Sequence, residues 1–127
     1  MNWQDFKQGT EERDGLAFEV YVAIASLETD MDQLGRKLNG HLEYLRGLEA
    51  DGVLVMAGPL SSDDGEEMAG GGLVVLRARS YEEAYEIASK DPLAVAGIRT
   101  FTLHRWLMNE GRLDLGIDLS SQSVRFR

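Results

Sequence analysis

The chain has 127 residues, 43% hydrophobic and 28% charged, a length and balance that suit one globular domain and do not indicate global disorder. It contains no cysteine, which removes disulfides, thiolate nucleophiles and Cys-ligated metal centres. With 22 acidic residues against 13 Lys and Arg, the net charge of −9 argues against nucleic acids and anionic membranes as partners.

The opening run Met1-Asn2-Trp3-Gln4-Asp5 has neither a basic region nor an apolar stretch behind it, so no secretory signal is expected. The longest apolar runs, such as Leu73 to Leu76, are too short to span a bilayer, and the expected location is cytoplasmic. Residues 1–16 read as a polar arm, with Glu11 to Gly15 as a loop and Trp3 and Phe6 as its anchoring side chains. From Ala17 to Ala25 the chain alternates, with Phe18, Val20, Val22 and Ile24 on one side, which is a strand pattern. Asp30 or Asp32 then caps a helix to about Ala50, with Gly52 just past its end and Leu34, Leu38, Leu45 and Leu48 as its apolar stripe. Val53 to Ala57 reads as a strand that stops at Gly58-Pro59, and a loop from Ser61 to Gly72 leads to a strand over Leu73 to Arg79. Ser80 and Glu83 have the spacing of a capping box for a second helix whose inward face is Tyr81, Ala84, Tyr85 and Ala88. Asp91-Pro92 ends that helix and starts a short turn with Gly97 as its exit, and Ile98 to Met108 is extended. Residues 109–127 form a tail, a candidate edge strand around Leu113, Leu115 and Ile117.

The order β-α-β-β-α-β predicts an α+β, ferredoxin-like domain over residues 17–108 with an antiparallel sheet. Two helices cover only one face of such a sheet. Leu73 and Val75 alternate with Val74 and Leu76, so both faces of that strand are apolar, and Tyr21, Ala23 and Trp106 are assigned to the side left open. An exposed apolar sheet face predicts a face-to-face homodimer.

Only two histidines are present, and His41 falls inside the leucine stripe of the first long helix. An imidazole there needs a partner or a cavity, because an unpaired buried polar group costs roughly 1–3 kcal/mol. It is either a core histidine satisfied by a backbone carbonyl or a group placed for proton transfer. Asp91 is either only the N-cap ahead of Pro92 or a carboxylate that orients a histidine, and its two oxygens allow both. His104 reads as structural, the run Gly70 to Gly72 lacks the strand-loop-helix context of a phosphate cradle, and the acidic stretch Asp63 to Glu67 lacks calcium-loop spacing.

Several segments together resemble the YCII-like family: His41-Leu42-Glu43-Tyr44-Leu45, Gly52 to Leu60, the glycine-led strand Gly72 to Leu76, and Ala88-Ser89-Lys90-Asp91-Pro92 followed by Ala96-Gly97. The resemblance runs from Ala17 to Met108 and implies a dimeric α+β barrel in which His41 and Asp91 match a histidine–aspartate pair. It also implies kinship with chlorohydroxyquinol dehydrochlorinases, which eliminate chloride from a small ring, and a related barrel in muconolactone isomerases. Two departures stand out: Leu38-Asn39-Gly40 occupies the stretch where family members often carry an arginine, with Arg36 further back, and the tail is longer than in small members. The function expected is a lyase or isomerase for a small molecule, run by His41 and Asp91 without metal or organic cofactor, with backbone near Gly58 as a candidate oxyanion donor. The alternatives are a small-ligand-binding or sensing module on the same scaffold, or a purely structural pair.

Overall fold

Local chemistry at its ends sets the longest helix. Asp30, in extended conformation, accepts a hydrogen bond from Gln33 N (2.9 Å), and Gly52 follows the last turn with φ +74°. The computed structural model, which describes residues 1–126, divides into two compact units: Glu19–Trp106, and Met1–Phe18 together with the segment from Leu107. Its elements in chain order are α1 (Trp3–Glu12), β1 (Phe18–Leu27), α2 (Met31–Ala50), β2 (Leu54–Ser61), β3 (Met68–Leu76), α3 (Tyr81–Ser89), α4 (Pro92–Val95), β4 (Arg99–Met108), β5 (Leu115–Asp118) and β6 (Ser123–Phe126). Among the described residues no helix is long and apolar enough to cross a membrane.

The larger unit holds a four-stranded sheet in the order β2-β3-β1-β4, the ferredoxin-like arrangement, with β3 antiparallel to both β1 and β2. One core cluster joins Tyr21, Ala23 and Leu103 of the sheet to Ala84 of α3, with Phe101, Val74 and Tyr81 packed around it. Tyr21 and Ala23 therefore face the helices, contrary to the sequence expectation. Alternation separates the faces of a strand but does not say which one a helix will cover when both are apolar. A second cluster, Leu34, Leu93 and Ile98, locks α2 to α4 and to the start of β4.

The opposite face stays apolar and uncovered in places. Met56 is 44% exposed and Trp106 41%, and with Gly58, Leu60, Leu73 and Val75 they line a groove of about 290 Å³.

Three further differences from the sequence reading have physical causes. Strand β2 runs through Gly58-Pro59 instead of stopping there, because β2 is an edge strand and the missing proline N–H leaves no ladder partner wanting. Strand β3 begins at Met68 and takes in the glycine run. A Cβ on Gly71 would lie 2.4 Å from Ala25 O and one on Gly72 3.1 Å from Gly58 O, so these glycines permit close strand approach instead of forming a loop. The capping box of α3 is half altered: Ser80 Oγ accepts from Glu83 N (3.1 Å), but the Glu83 carboxylate takes Arg79 N (3.2 Å) and Arg79 Nε (3.0 Å). Those bonds from Arg79 hold the Glu83 carboxyl below its ordinary pKa.

The loop before β3 is fastened by Asp64, whose carboxylate accepts from Ser62 Oγ (2.6 Å) and Glu66 N (3.0 Å), bonds that also depress its pKa.

In the smaller unit, residues 3–12 are helical where an arm was expected. Asn2 caps the helix by accepting from Asp5 N (2.8 Å). The tail does not add an edge strand to the main sheet: β5 and β6 pair with each other, Leu115 opposite Phe126 and Ile117 opposite Val124. Arg127 lies outside the described residues.

Gly47 is an exposed position in α2, with no atom within 4 Å of where its Cβ would stand. Gly47→Ala is expected to stabilise the protein by about 0.5–1 kcal/mol through helix propensity alone, measurable as a higher denaturant midpoint at unchanged m-value.

Candidate active site

Helix α2 contributes His41 and the start of α4 contributes Asp91, and a glycine–proline contact sets them side by side. A Cβ on Gly40 would stand 3.6 Å from Pro92 Cγ, so the bare glycine backbone and the proline ring meet where the two helices approach each other. One residue after Gly40 and one residue before Pro92, His41 Nδ1 lies 2.6 Å from Asp91 Oδ2. The other carboxylate oxygen, Oδ1, accepts from Leu93 N (2.9 Å) and caps α4. Asp91 therefore bonds through both oxygens, one to the His41 ring and one to the cap of α4. A backbone carbonyl is not the partner of His41.

In the neutral ring this geometry selects the tautomer. An ionised carboxylate only accepts, so the imidazole proton sits on Nδ1 and donates to Asp91, leaving a lone pair on Nε2. His41 is only 6% exposed, yet Nε2 forms no hydrogen bond among the described residues and is not sealed off from solvent.

His41 lines a cavity of about 380 Å³, with Leu42, Leu45, Gly58, Leu73 and Arg99 among its walls. The volume suits a single small ring, and the lining is apolar apart from a few converging polar groups.

Arg99 escaped the sequence reading. It is 8% exposed, opens β4 at the inward parity shared with Phe101 and Leu103, and donates from Nε to Gly70 O (2.8 Å). Gly70 has φ +84°, a backbone conformation that suits glycine. A Cβ on Gly72 would stand 3.5 Å from Arg99 Nη1 and 3.6 Å from Nη2, so the guanidinium lies over bare backbone. Burial draws the Arg99 pKa below its ordinary value, and the negative charge of Asp91 opposes that shift. The available signal was a charge on the inward side of an alternating strand. Arg36, weighed as the cation behind His41, does not line the cavity.

Tyr44, one turn past His41 on α2, donates to Ile87 O (2.6 Å). Burial first, and then the Asp91 carboxylate, push its phenol above the usual value, so it stays protonated as a strut between α2 and α3. His104 is exposed on β4 and does not line the cavity.

A ferredoxin-like sheet with a helix-borne histidine held by a carboxylate at a cavity places the chain in the α+β class read from its sequence. The chain belongs to the YCII-related domain family, whose model matches residues 19–106. It is similar to the uncharacterized protein YjpA of Bacillus subtilis, 39% identical over 71 residues, a match spanning 56% of this chain and 76% of that protein. Among solved structures it resembles 5-chloro-2-hydroxyhydroquinone dehydrochlorinase (TftG) from Burkholderia phenoliruptrix, in complex with 2,5-dihydroxybenzoquinone. That likeness has a TM-score of 0.50 at 23% identity and covers 68% of this chain and 92% of that one, which is a likeness of fold.

Proposed function

We propose that the chain is a lyase or isomerase for a small ring compound, with His41 as the proton-transfer group and Asp91 as its positioning residue. The observation that carries this reading is the free Nε2 of an imidazole whose other nitrogen is bound to a carboxylate, at the wall of a cavity of about 380 Å³. In the proposed step, Nε2 takes a proton from the substrate. The electron pair left behind either expels a leaving group such as chloride, or shifts a double bond so that the same proton returns at another carbon. Asp91 stabilises the imidazolium in between. The dehydrochlorinase of similar fold, bound to a quinone, supports the choice of a small ring. The test is a thermal-shift screen of hydroxylated and halogenated ring compounds, followed by turnover assays on each hit. A hit turned over by the wild type and only bound by His41→Asn supports the enzyme. Hits bound equally by both, with no turnover by either, favour a ligand-binding module, a reading to which the mostly apolar lining lends support.

A homodimer is part of the same proposal, with the uncovered sheet face of one copy seated on that of another. The exposed Met56 and Trp106 around the apolar groove support it. Light scattering at micromolar concentration is expected to return twice the chain mass, and Met56→Glu combined with Trp106→Glu to return one. A wild type of single-chain mass would overturn the dimer.

A further inference from the structure

Arg99 poses a problem that the proton-transfer pair does not solve. It is a cation 8% exposed, and its one hydrogen bond among the described residues runs from Nε to Gly70 O. Among the described residues no salt bridge engages it, and Asp91 acts on it only at longer range. Its two terminal amino groups have no acceptor among the described residues, although no atom of theirs is sealed from solvent. A buried guanidinium held by its Nε and left open at its fork costs solvation that the Gly70 bond and the more distant Asp91 charge return only in part. The fork lies over Gly72, and both residues line the cavity that His41 lines. The remaining walls, including Leu38, Leu42, Leu45, Leu73 and Val74, are hydrocarbon.

A planar fork of donors at one point of an apolar cavity of ring size matches a planar anionic oxygen group. We propose that the cavity selects small planar organic anions, aromatic carboxylates or phenolates, and that Arg99 is the specificity residue that receives the charged oxygen through Nη1 and Nη2. This rests on reading the cavity as the substrate site. It adds the substrate class and a residue for it. The hydrocarbon walls take the ring, the fork sets its in-plane orientation, and a proton elsewhere on the ring is presented to Nε2. In a chain of net charge −9, general electrostatics repel such ligands, so the selectivity has to come from this buried cation.

The experiment is calorimetric binding of two matched pairs to the full chain: benzoate against benzamide, and 4-nitrophenolate against 4-nitroanisole. Each anion is expected to bind about 10-fold or more tightly than its neutral partner, the ratio for a charge-assisted bond not made to the neutral analogue. A preference confined to the first pair identifies carboxylates as the class, and one confined to the second identifies phenolates. Arg99→Gln is expected to remove the preference and Arg99→Lys to keep part of it, each at a circular-dichroism melting point that verifies folding. If Arg99→Gln does not fold, the wild-type ratios and the response of the arginine Nε–H NMR signal to the anion decide. Equal affinity within both pairs, no saturable binding of any probe, or a preference that survives Arg99→Gln overturns the proposal. The outcome is separable from the enzyme reading: turnover that depends on His41 without anion preference defeats only this inference, and an Arg99-dependent preference without turnover defeats only that reading.

Discussion

His41→Asn is expected to lower turnover by about 10²–10⁴-fold while ligand affinity changes little, because the substitution removes the proton acceptor and leaves the cavity walls in place. Asp91→Asn is the more discriminating variant. Its carbonyl oxygen can keep the cap on Leu93 N, now made by Asp91 Oδ1 at 2.9 Å, which turns the amide NH₂ toward His41. That donor forces Nδ1 to accept, and the imidazole proton moves to Nε2, on the nitrogen that must take one. Stability should stay near that of the wild type while turnover falls nearly as far as in His41→Asn. Nitrogen-15 NMR of the imidazole reads the tautomer directly. A wild-type rate from either variant on a verified substrate would remove the proton-transfer role.

Gly71→Ala is expected to be among the most destabilising of the small substitutions. Its methyl would stand 2.4 Å from Ala25 O, a backbone atom of the neighbouring strand, so β1 and β3 must part at the centre of the sheet. Overpacking of this kind costs on the order of 1–3 kcal/mol, and more where the obstacle is backbone that cannot rotate away. Equilibrium denaturation should show a lower midpoint, in contrast to the gain expected from Gly47→Ala. The damage should also reach the cavity, because Gly70 and Gly72 on either side accept and underlie the Arg99 side chain.

What could be read in advance follows the range over which each signal acts. Ser80, Asp91 and the pair of candidates Asp30 and Asp32, of which Asp30 is the cap, announced the starts of α3, α4 and α2 because a cap is settled within three residues. Helix α1 was missed, since Trp3 and Phe6 alone give it too little apolar periodicity and its cap, Asn2, sits at the very beginning of the chain. The glycine run before Leu73 was misread as loop because its need for bare backbone comes from Ala25, Gly58 and Arg99, all distant in sequence. The candidate site was legible in the same uneven way. His41 and Asp91 stood out by position and by resemblance, whereas the pairing of one ring nitrogen with Asp91 and the openness of the other are tertiary facts. Arg99 was visible only as a charge out of place.

Strand β2 carries a further consequence. It lies at the border of the sheet, its register slips between Leu54 and Met56 and again between Pro59 and Ser61, and Pro59 lacks an N–H. A foreign strand laid alongside would meet interrupted pairing at both slips and a silent position between them. Lateral growth into a continuous ribbon is thereby discouraged on that side, and a neighbour seeking contact is turned toward the flat of the sheet.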